Sequence, residues 1–562
     1  VAAGLLGAPA VAAAQATGQI TGTVTGDAGQ PLAGASVLVA GTTRGAQTGA
    51  DGRFTIPAVP AGSHTIRASF AGHAEGTAPV TVAAGQTATA NIRLTSQAVQ
   101  LEGLVAVGYG TQQRRDVTGA VASVRGEDIT QVVAANPADA IKGRIPGVDV
   151  VTSSFEPGAA TQIRVRGTRS ISAGNNPLFV VDGVPISGDL RDFDANSIES
   201  IEVLKDASAA AVYGSRGANG VILVTTKRGR AGGTQFDLSS SYGTSRILNR
   251  VDMMNAQEFA DCRREAYRAV GQYNCPGRSV CEAGDAVALD PTMRANLAAG
   301  VDTDWQDQIL RTGVLQNHQL AVSGGSAETR FRVSAGFLDQ TGITLGQAYE
   351  AKNGSVSLTH DFGRLGVQAT AHASQTLREA GRGAGLWDEA LFNSPLGRVR
   401  DEQGNLVFLP TEDALRVNPV SEAIGNVPEL ERTNVLGTLS ARLEVADGVQ
   451  LVSNFGPEYS QVSDGFFVGS LTRANRGGQP NAGLDNTRRF NYTLSNYLQL
   501  DRDFGDAHRV QGTLLYEVAG SRMDFDSATA SNLPYEHQLW YNLGSGQRYA
   551  VGTRLEETTL QS

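Results

Sequence analysis

From about residue 235 onward, side-chain character flips at every second position. Val435, Gly437, Leu439, Ala441, Leu443 and Val445 fall on one face, and Leu436, Thr438, Ser440, Arg442 and Glu444 on the other. The same device recurs with Val510, Gly512, Leu514, Tyr516 and Val518. A period of two is the signature of a β-strand that meets different surroundings on its two faces. Similar stretches lie around Phe236–Tyr242, His318–Ser323, Arg330–Phe337, Val356–Leu358, Leu365–Ala373, Val449–Phe455 and Tyr492–Leu500, so about nine strands are expected.

The connections narrow the fold further. Short links at Gly324–Glu328, Asp361–Arg364, Ala446–Gly448 and Arg502–His508 alternate with long ones such as Ile247–Leu315 and Thr376–Thr433. Turns on one side and long loops on the other are what a transmembrane β-barrel produces. Beyond the N-terminus no apolar run reaches the roughly 18 residues that a spanning helix needs, so the membrane is expected to be crossed by strands. About nine strands cannot close around a plug, since such barrels use about 22 and every backbone group in lipid must be paired. The chain is therefore expected to be truncated at its C-terminal end, with an incomplete antiparallel barrel over 235–562.

Residues 1–16, V-A-A-G-L-L-G-A-P-A-V-A-A-A-Q-A, look like the apolar region and small-residue cleavage site of an export signal lacking its basic front. Export exposes cysteines to oxidants, and of Cys262, Cys275 and Cys281 the last two are candidates for a loop disulfide. No His or Cys cluster has metal-ligand spacing, so neither metal nor cofactor is expected. With 46 basic and 56 acidic residues the net charge is −10, which excludes a nucleic-acid partner that needs a basic footprint. The sequence holds no H-E-x-x-H, nucleophile elbow or paired-carboxylate motif, and no enzyme is expected.

Between the signal and the barrel lie three further segments. Residues 18–95 carry short strands separated by Gly- and Asp-rich turns, the pattern of a β-sandwich. Residues 99–116 form a linker around L-E-G-L-V-A-V-G-Y-G, apolar and β-prone, able to serve either as an ordinary strand or as one added to a partner's sheet edge. Residues 117–230 mix strands with short helices, an α+β domain. Asn136 caps a helix beginning at Pro137, Asp182-Gly183 turns a hairpin, and D-A-S-A-A-A-V-Y-G forms a small-residue helix before the strand V-I-L-V-T-T. The Gly-rich G-S-R-G-A-N-G between them is not a phosphate loop, because it runs from helix into strand rather than from strand into helix.

Several of these stretches carry a family resemblance. Residues 18–95 resemble the carboxypeptidase regulatory-like domain through P-L-A-G-A-S-V-L-V-A-G-T and T-G-A-D-G-R-F-T-I. The runs N-P-A-D-A-I-K-G-R-I-P-G-V-D-V, P-L-F-V-V-D-G-V-P-I and I-E-S-I-E-V-L-K-D-A-S-A-A-A-V-Y-G-S-R-G-A-N-G-V-I-L-V-T-T-K-R-G are similar to the plug of SusC/RagA-type TonB-dependent receptors. By that resemblance Leu104, Val105, Ala106, Val107, Gly108 and Tyr109 stand at the TonB box, with Gly103, Leu104 and Ala106 departing from the family's pattern. The resemblance implies an outer-membrane importer of an oligosaccharide or peptide. It would be energised by TonB in the periplasm and covered by a SusD-like surface lipoprotein, or else it would be an adhesin or signalling receptor on the same architecture. Trp305, Trp387, Tyr459 and Trp540 could stack on a sugar, anchor at the membrane interface or fill loop cores.

Overall fold

The computed structural model describes residues 17–95 other than 28, 43, 71 and 72, then 104–107, 110–113, 121–130, 136–206 other than 172 and 173, 210–504 other than 382, and 508–561. The signal-like residues 1–16 lie outside them. The chain divides into two compact units, meeting between Leu104 and Val105.

The first unit is the expected sandwich. Its first sheet centres on Thr17–Thr25, antiparallel to Arg53–Pro60 and parallel to Thr87–Thr89 and Ile92–Arg93. The second sheet runs in the order Gly45–Gln47, Ser36–Val39, Gly62–Ser69 and Gly76–Val82. Alternation builds the core: Arg53 and Thr55 are exposed, while Phe54 and Ile56 turn inward to meet Ile20, Val37, Ile66 and Val82.

In the second unit, the α+β domain holds a five-stranded sheet in the order Val121–Arg125, Ile198–Leu204, Val221–Thr226, Leu178–Val181 and Val184–Ile186. The strands Val221–Thr226 and Leu178–Val181 are apolar on both faces, because one side covers Ile129, Ile141 and Leu190 and the other meets Tyr213 and Val452. Asn136 caps the short helix Pro137–Ala140 through the Ala138 amide, as read from the sequence. Asp182 at φ 48° and Gly183 at φ 89° turn the hairpin, matching the demands of a two-residue turn. The expected small-residue helix differs: Ala211–Asn219 forms 3-10 turns broken at Gly214, where φ is 58°, and residues 207–209 lie outside the described set.

The remaining chain forms one antiparallel sheet of ten strands, each paired to the next. Wall strands 1 to 5 are Gly232–Ser245, Gly313–Gly325, Thr329–Thr341, Ala348–Phe362 and Leu365–Glu379. Strands 6 to 10 are Asn426–Ala446, Val449–Val468, Asn481–Phe504, His508–Ser531 and Arg548–Gln561. The expectation of about nine falls one short, by the tenth strand. In R-Y-A-V-G-T-R-L-E-E-T-T-L-Q the alternation of Tyr549, Val551 and Leu555 breaks down at Glu556 and Glu557, so the period of two does not mark this strand.

Register sorts the two faces of this wall. Val435, Tyr459 and Phe490 stand side by side on strands 6, 7 and 8, and Leu443, Leu451, Leu498 and Leu514 form a second row across strands 6 to 9. All seven are exposed on the outer face. From Val435 to Leu443 is about 27 Å along a strand at roughly 3.4 Å per residue, or about 21 Å of height at a tilt of about 40°, which is most of an apolar band about 25 Å tall. On the inner face Leu436, Val452, Asn454, Glu458 and Glu517 are buried, and Leu436 and Val452 join the core of the α+β domain. No helix among the described residues is long and apolar enough to cross a membrane.

Candidate functional site

Two regions carry the functional argument: the linker ahead of the α+β domain, and the seam where that domain meets the wall. In the linker, Leu104–Val107 is a strand paired with Gly110–Gln113, and among the described residues these two form a sheet of their own. An isolated two-stranded pairing is marginal in water, so the segment is cheap to release to another sheet. Of the residues expected to form the coupling box, Gly108 and Tyr109 lie outside the described residues.

Along the seam, a few polar anchors fix the inner domain. Glu458 of strand 7, only 4% exposed, accepts the Ser187 amide at 3.1 Å and Asn491 Nδ2 at 3.0 Å. Arg216, from the 3-10 turns, pairs with the buried Glu517 of strand 9, which also takes the Ser495 hydroxyl at 2.8 Å. Arg378 of strand 5 meets Glu156 at 2.7 Å. Such pairs matter because removing one partner strands a buried charge. Asp192 is a weaker fit: one of its oxygens is buried without a hydrogen bond, and its nearest cation is Arg432 at 3.8 Å. Burial, reinforced by neighbouring Asp189, pushes its carboxyl up to about 6.

Two cavities flank the hairpin of this domain. One of about 430 Å³ lies among Asn176, Asp189, Asp192, Arg432, Glu458 and Arg489. The other, about 750 Å³, is lined by Gly183, Arg442, Gln450, Asn454, Gln499 and Asp501 among others. Between them Gly456 of strand 7 takes Val184 against its backbone, where any Cβ would stand 2.1 Å from Val184 Cγ1.

The long connections sit at the end of the wall opposite its turns. The first holds helices Ala256–Ala269, Glu282–Ala288, Pro291–Ala298 and Trp305–Ile309. Arg264, 5% exposed, grips both Asp285 oxygens at 2.8 and 2.7 Å, and these bonds hold the Asp285 carboxyl below its usual range. Cys275 and Cys281 are disulfide-bonded across a Cα separation of 5.9 Å, and Cys262 is free and exposed. The four aromatics singled out from the sequence divide. Trp305 and Trp540 are loop cores, with Trp305 Nε1 donating to the Ser394 carbonyl at 2.8 Å. Trp387 packs against the Trp305 cluster, and Tyr459 belongs to the outer apolar row. None of the four lines either seam cavity.

The acids at 458 and 517 stand on the inward face of alternating strands, which the sequence pattern marks as polar, but it could not pair them with Ser187 and Arg216, roughly three hundred residues earlier in the chain. Among the described residues no group of three His, Cys, Asp or Glu side chains could hold a metal.

Comparison with known proteins gives consistent matches. The TonB-dependent receptor plug domain matches residues 113–221, and the carboxypeptidase regulatory-like domain matches 19–95. TonB-dependent receptor P3 of Formosa agariphila is 31% identical over 496 residues, covering 86% of this chain and 46% of the relative. TonB-dependent receptor SusC of Bacteroides thetaiotaomicron is 33% identical over 343 residues, covering 59% of this chain and 31% of SusC. The chain thus spans less than half the length of these relatives. Among solved structures, the RagAB peptide importer in its open-open state shares the fold, with a TM-score of 0.70 at 22% identity over 82% of this chain and 54% of that one.

Proposed function

Because the chain belongs to the SusC/RagA family of TonB-dependent receptors of the outer membrane, we propose that the protein imports a large hydrophilic nutrient, an oligosaccharide or a peptide, past a plug seated in its barrel. The observation that carries this reading is the seating itself. A separately folded sheet lies on the inner face of the wall, held by anchors at Glu458, Glu517 and Arg378, with the linker strand Leu104–Val107 leading into it.

Nutrient arrives at the end bearing the long loops, where a SusD-like lipoprotein acts as a lid. At the other side TonB takes up the segment 104–109 as an added strand, so main-chain hydrogen bonds supply the grip and its side chains the choice of partner. Pulling there loads the plug's edge strand Val121–Arg125, which among the described residues pairs with one neighbour, Ile198–Leu204. Tyr, Trp and the acids need perform no bond chemistry in this scheme. Positioning and release suffice.

Uptake of labelled oligosaccharide and peptide pools by cells with and without TonB, and with residues 101–110 deleted, tests the reading. Accumulation should require both TonB and the segment, and import that survives the deletion overturns the coupling role. Ligand that is held at the surface but never accumulates would mark an adhesin instead.

A further inference from the structure

We infer that the seam between the plug and wall strands 6 to 8 is a polar permeation path, gated by the short plug strand Val184–Ile186. This rests on the import reading above and adds to it which part of the plug has to move.

The two seam cavities lie at different heights. The smaller is bounded by Arg432 and Thr487, toward the long-loop ends of strands 6 and 8, and the larger by Gly448 and Asp501, at the short-turn ends. Each is of the size that houses a small organic solute or the end of a longer one. Their chemistry is alike: carboxylates, guanidiniums and side-chain amides of both donor and acceptor kind form the larger part of each lining, beside apolar patches at Val180, Leu223 and Val452 in the larger and Phe179 and Ile186 in the smaller. Such walls suit a solute rich in hydroxyls or amides and penalise an apolar one, which would leave those groups unpaired.

What separates them is narrow. Val184 lies on the Gly456 backbone, and just above it the Ser187 amide is held by Glu458 while the Ser187 hydroxyl takes Asn491 Nδ2 at 3.1 Å. The strand Val184–Ile186 ends the plug sheet and pairs over three residues, among the described residues with Leu178–Val181 alone. Its displacement leaves the other four strands and their pairings whole. A hinge is also present. Asp182 stays behind, its carboxylate fixed by the Thr226 amide at 3.1 Å and hydroxyl at 2.6 Å, and Gly183 beside it already has a positive φ that tolerates reorientation. Swinging Val184–Gly188 off strand 7 joins the two cavities without expelling the plug.

Two engineered cross-links in the full-length protein test this. In the first, Val184→Cys with Gly456→Cys, the Cβ positions lie 3.1 Å apart, so the hairpin has to back off by roughly half an ångström to reach the roughly 3.5–4.5 Å of a relaxed disulfide. In the second, Asp194→Cys with Gly336→Cys, the plug is fastened to wall strand 3, where a Cβ at 336 lies 3.8 Å from Asp194 Cγ and the hairpin is left free. Uptake of the labelled oligosaccharide and peptide pools is measured oxidised and reduced, in cells with TonB. The expected result is at least a tenfold loss for the oxidised first pair, reversed by reductant, and less than a twofold change for the second. Unchanged uptake with the first pair oxidised overturns the gate, and equal block by both pairs shows that the plug leaves as one body. If neither reduced protein accumulates any solute while both insert in the outer membrane, it is the import reading that fails.

Discussion

Val184 and Gly456 are in direct contact across the seam, the valine methyl occupying the space that a side chain on residue 456 would need. The glycine is therefore a steric permission rather than a flexible point. Gly456→Ala should lift the hairpin off the wall, at a cost of about 1 to 3 kcal/mol for an overpacked contact. Vancomycin sensitivity of cells and the melting temperature of the purified protein report the leak and the lost stability. Adding Val184→Ala should restore both, and failure of that rescue would place the defect elsewhere.

Asp192 makes stability depend on pH in an unusual direction. Its carboxyl is raised from 3.8 to about 6 in the folded protein, so the native state binds its proton more tightly than the unfolded chain does. The residue therefore opposes folding above about pH 6, and stability is gained as pH falls from about 6 toward 4. That displacement corresponds to roughly 3 kcal/mol at most. Asp192→Asn should raise the melting temperature at pH 7.5 and have little effect at pH 4, as followed by thermal melts across that range; a loss of stability at pH 7.5 would show that its pairing with Arg432 dominates instead.

The coupling segment offers a backbone test. Val107→Pro removes an N–H that an added strand needs and restricts the preceding residue. Uptake should fall at least tenfold, while the heat-modifiable mobility that marks a closed barrel on gels stays as in the parent. A variant that imports normally would show that TonB grips another stretch.

In the helical long loop, two fastenings can be ranked. The disulfide Cys275–Cys281 closes a loop six residues apart in sequence, worth about 2 kcal/mol in the chain-entropy view. Arg264→Met leaves Asp285 without its bidentate partner and should cost about 3 kcal/mol or more. Limited proteolysis between residues 256 and 298 should accordingly accelerate more for Arg264→Met than for Cys275→Ser/Cys281→Ser. The reverse order would make the disulfide the principal fastening.

Local patterns carried far in this chain because the wall is built from them. Alternation at 435–445 and 510–518 is both the sequence signal and the physical sorting of outer from inner face. The hairpin at Asp182-Gly183 and the Asn136 cap were equally readable, since each depends on residues within a few positions. The tenth strand was not, because inward and outward environments blur where Glu556 and Glu557 interrupt the period. The seam was beyond reach for a different reason. Whether Glu458 faces Ser187, or Gly456 a valine, depends on how two separately folded sheets dock, and no periodicity records that. Trp305 and Trp540 illustrate the same limit: an aromatic in a long loop reads alike whether it stacks on a ligand or fills the loop's own core.

In the sandwich, the first strand, Thr17–Thr25, and the last, Thr87–Thr89 and Ile92–Arg93, lie side by side and parallel. A tension that draws the two ends of this module apart slides those strands along one another. Their hydrogen bonds then carry the load together instead of parting singly. Such a module resists being extended from its two ends, because no single hydrogen bond of the pair can part before its neighbours.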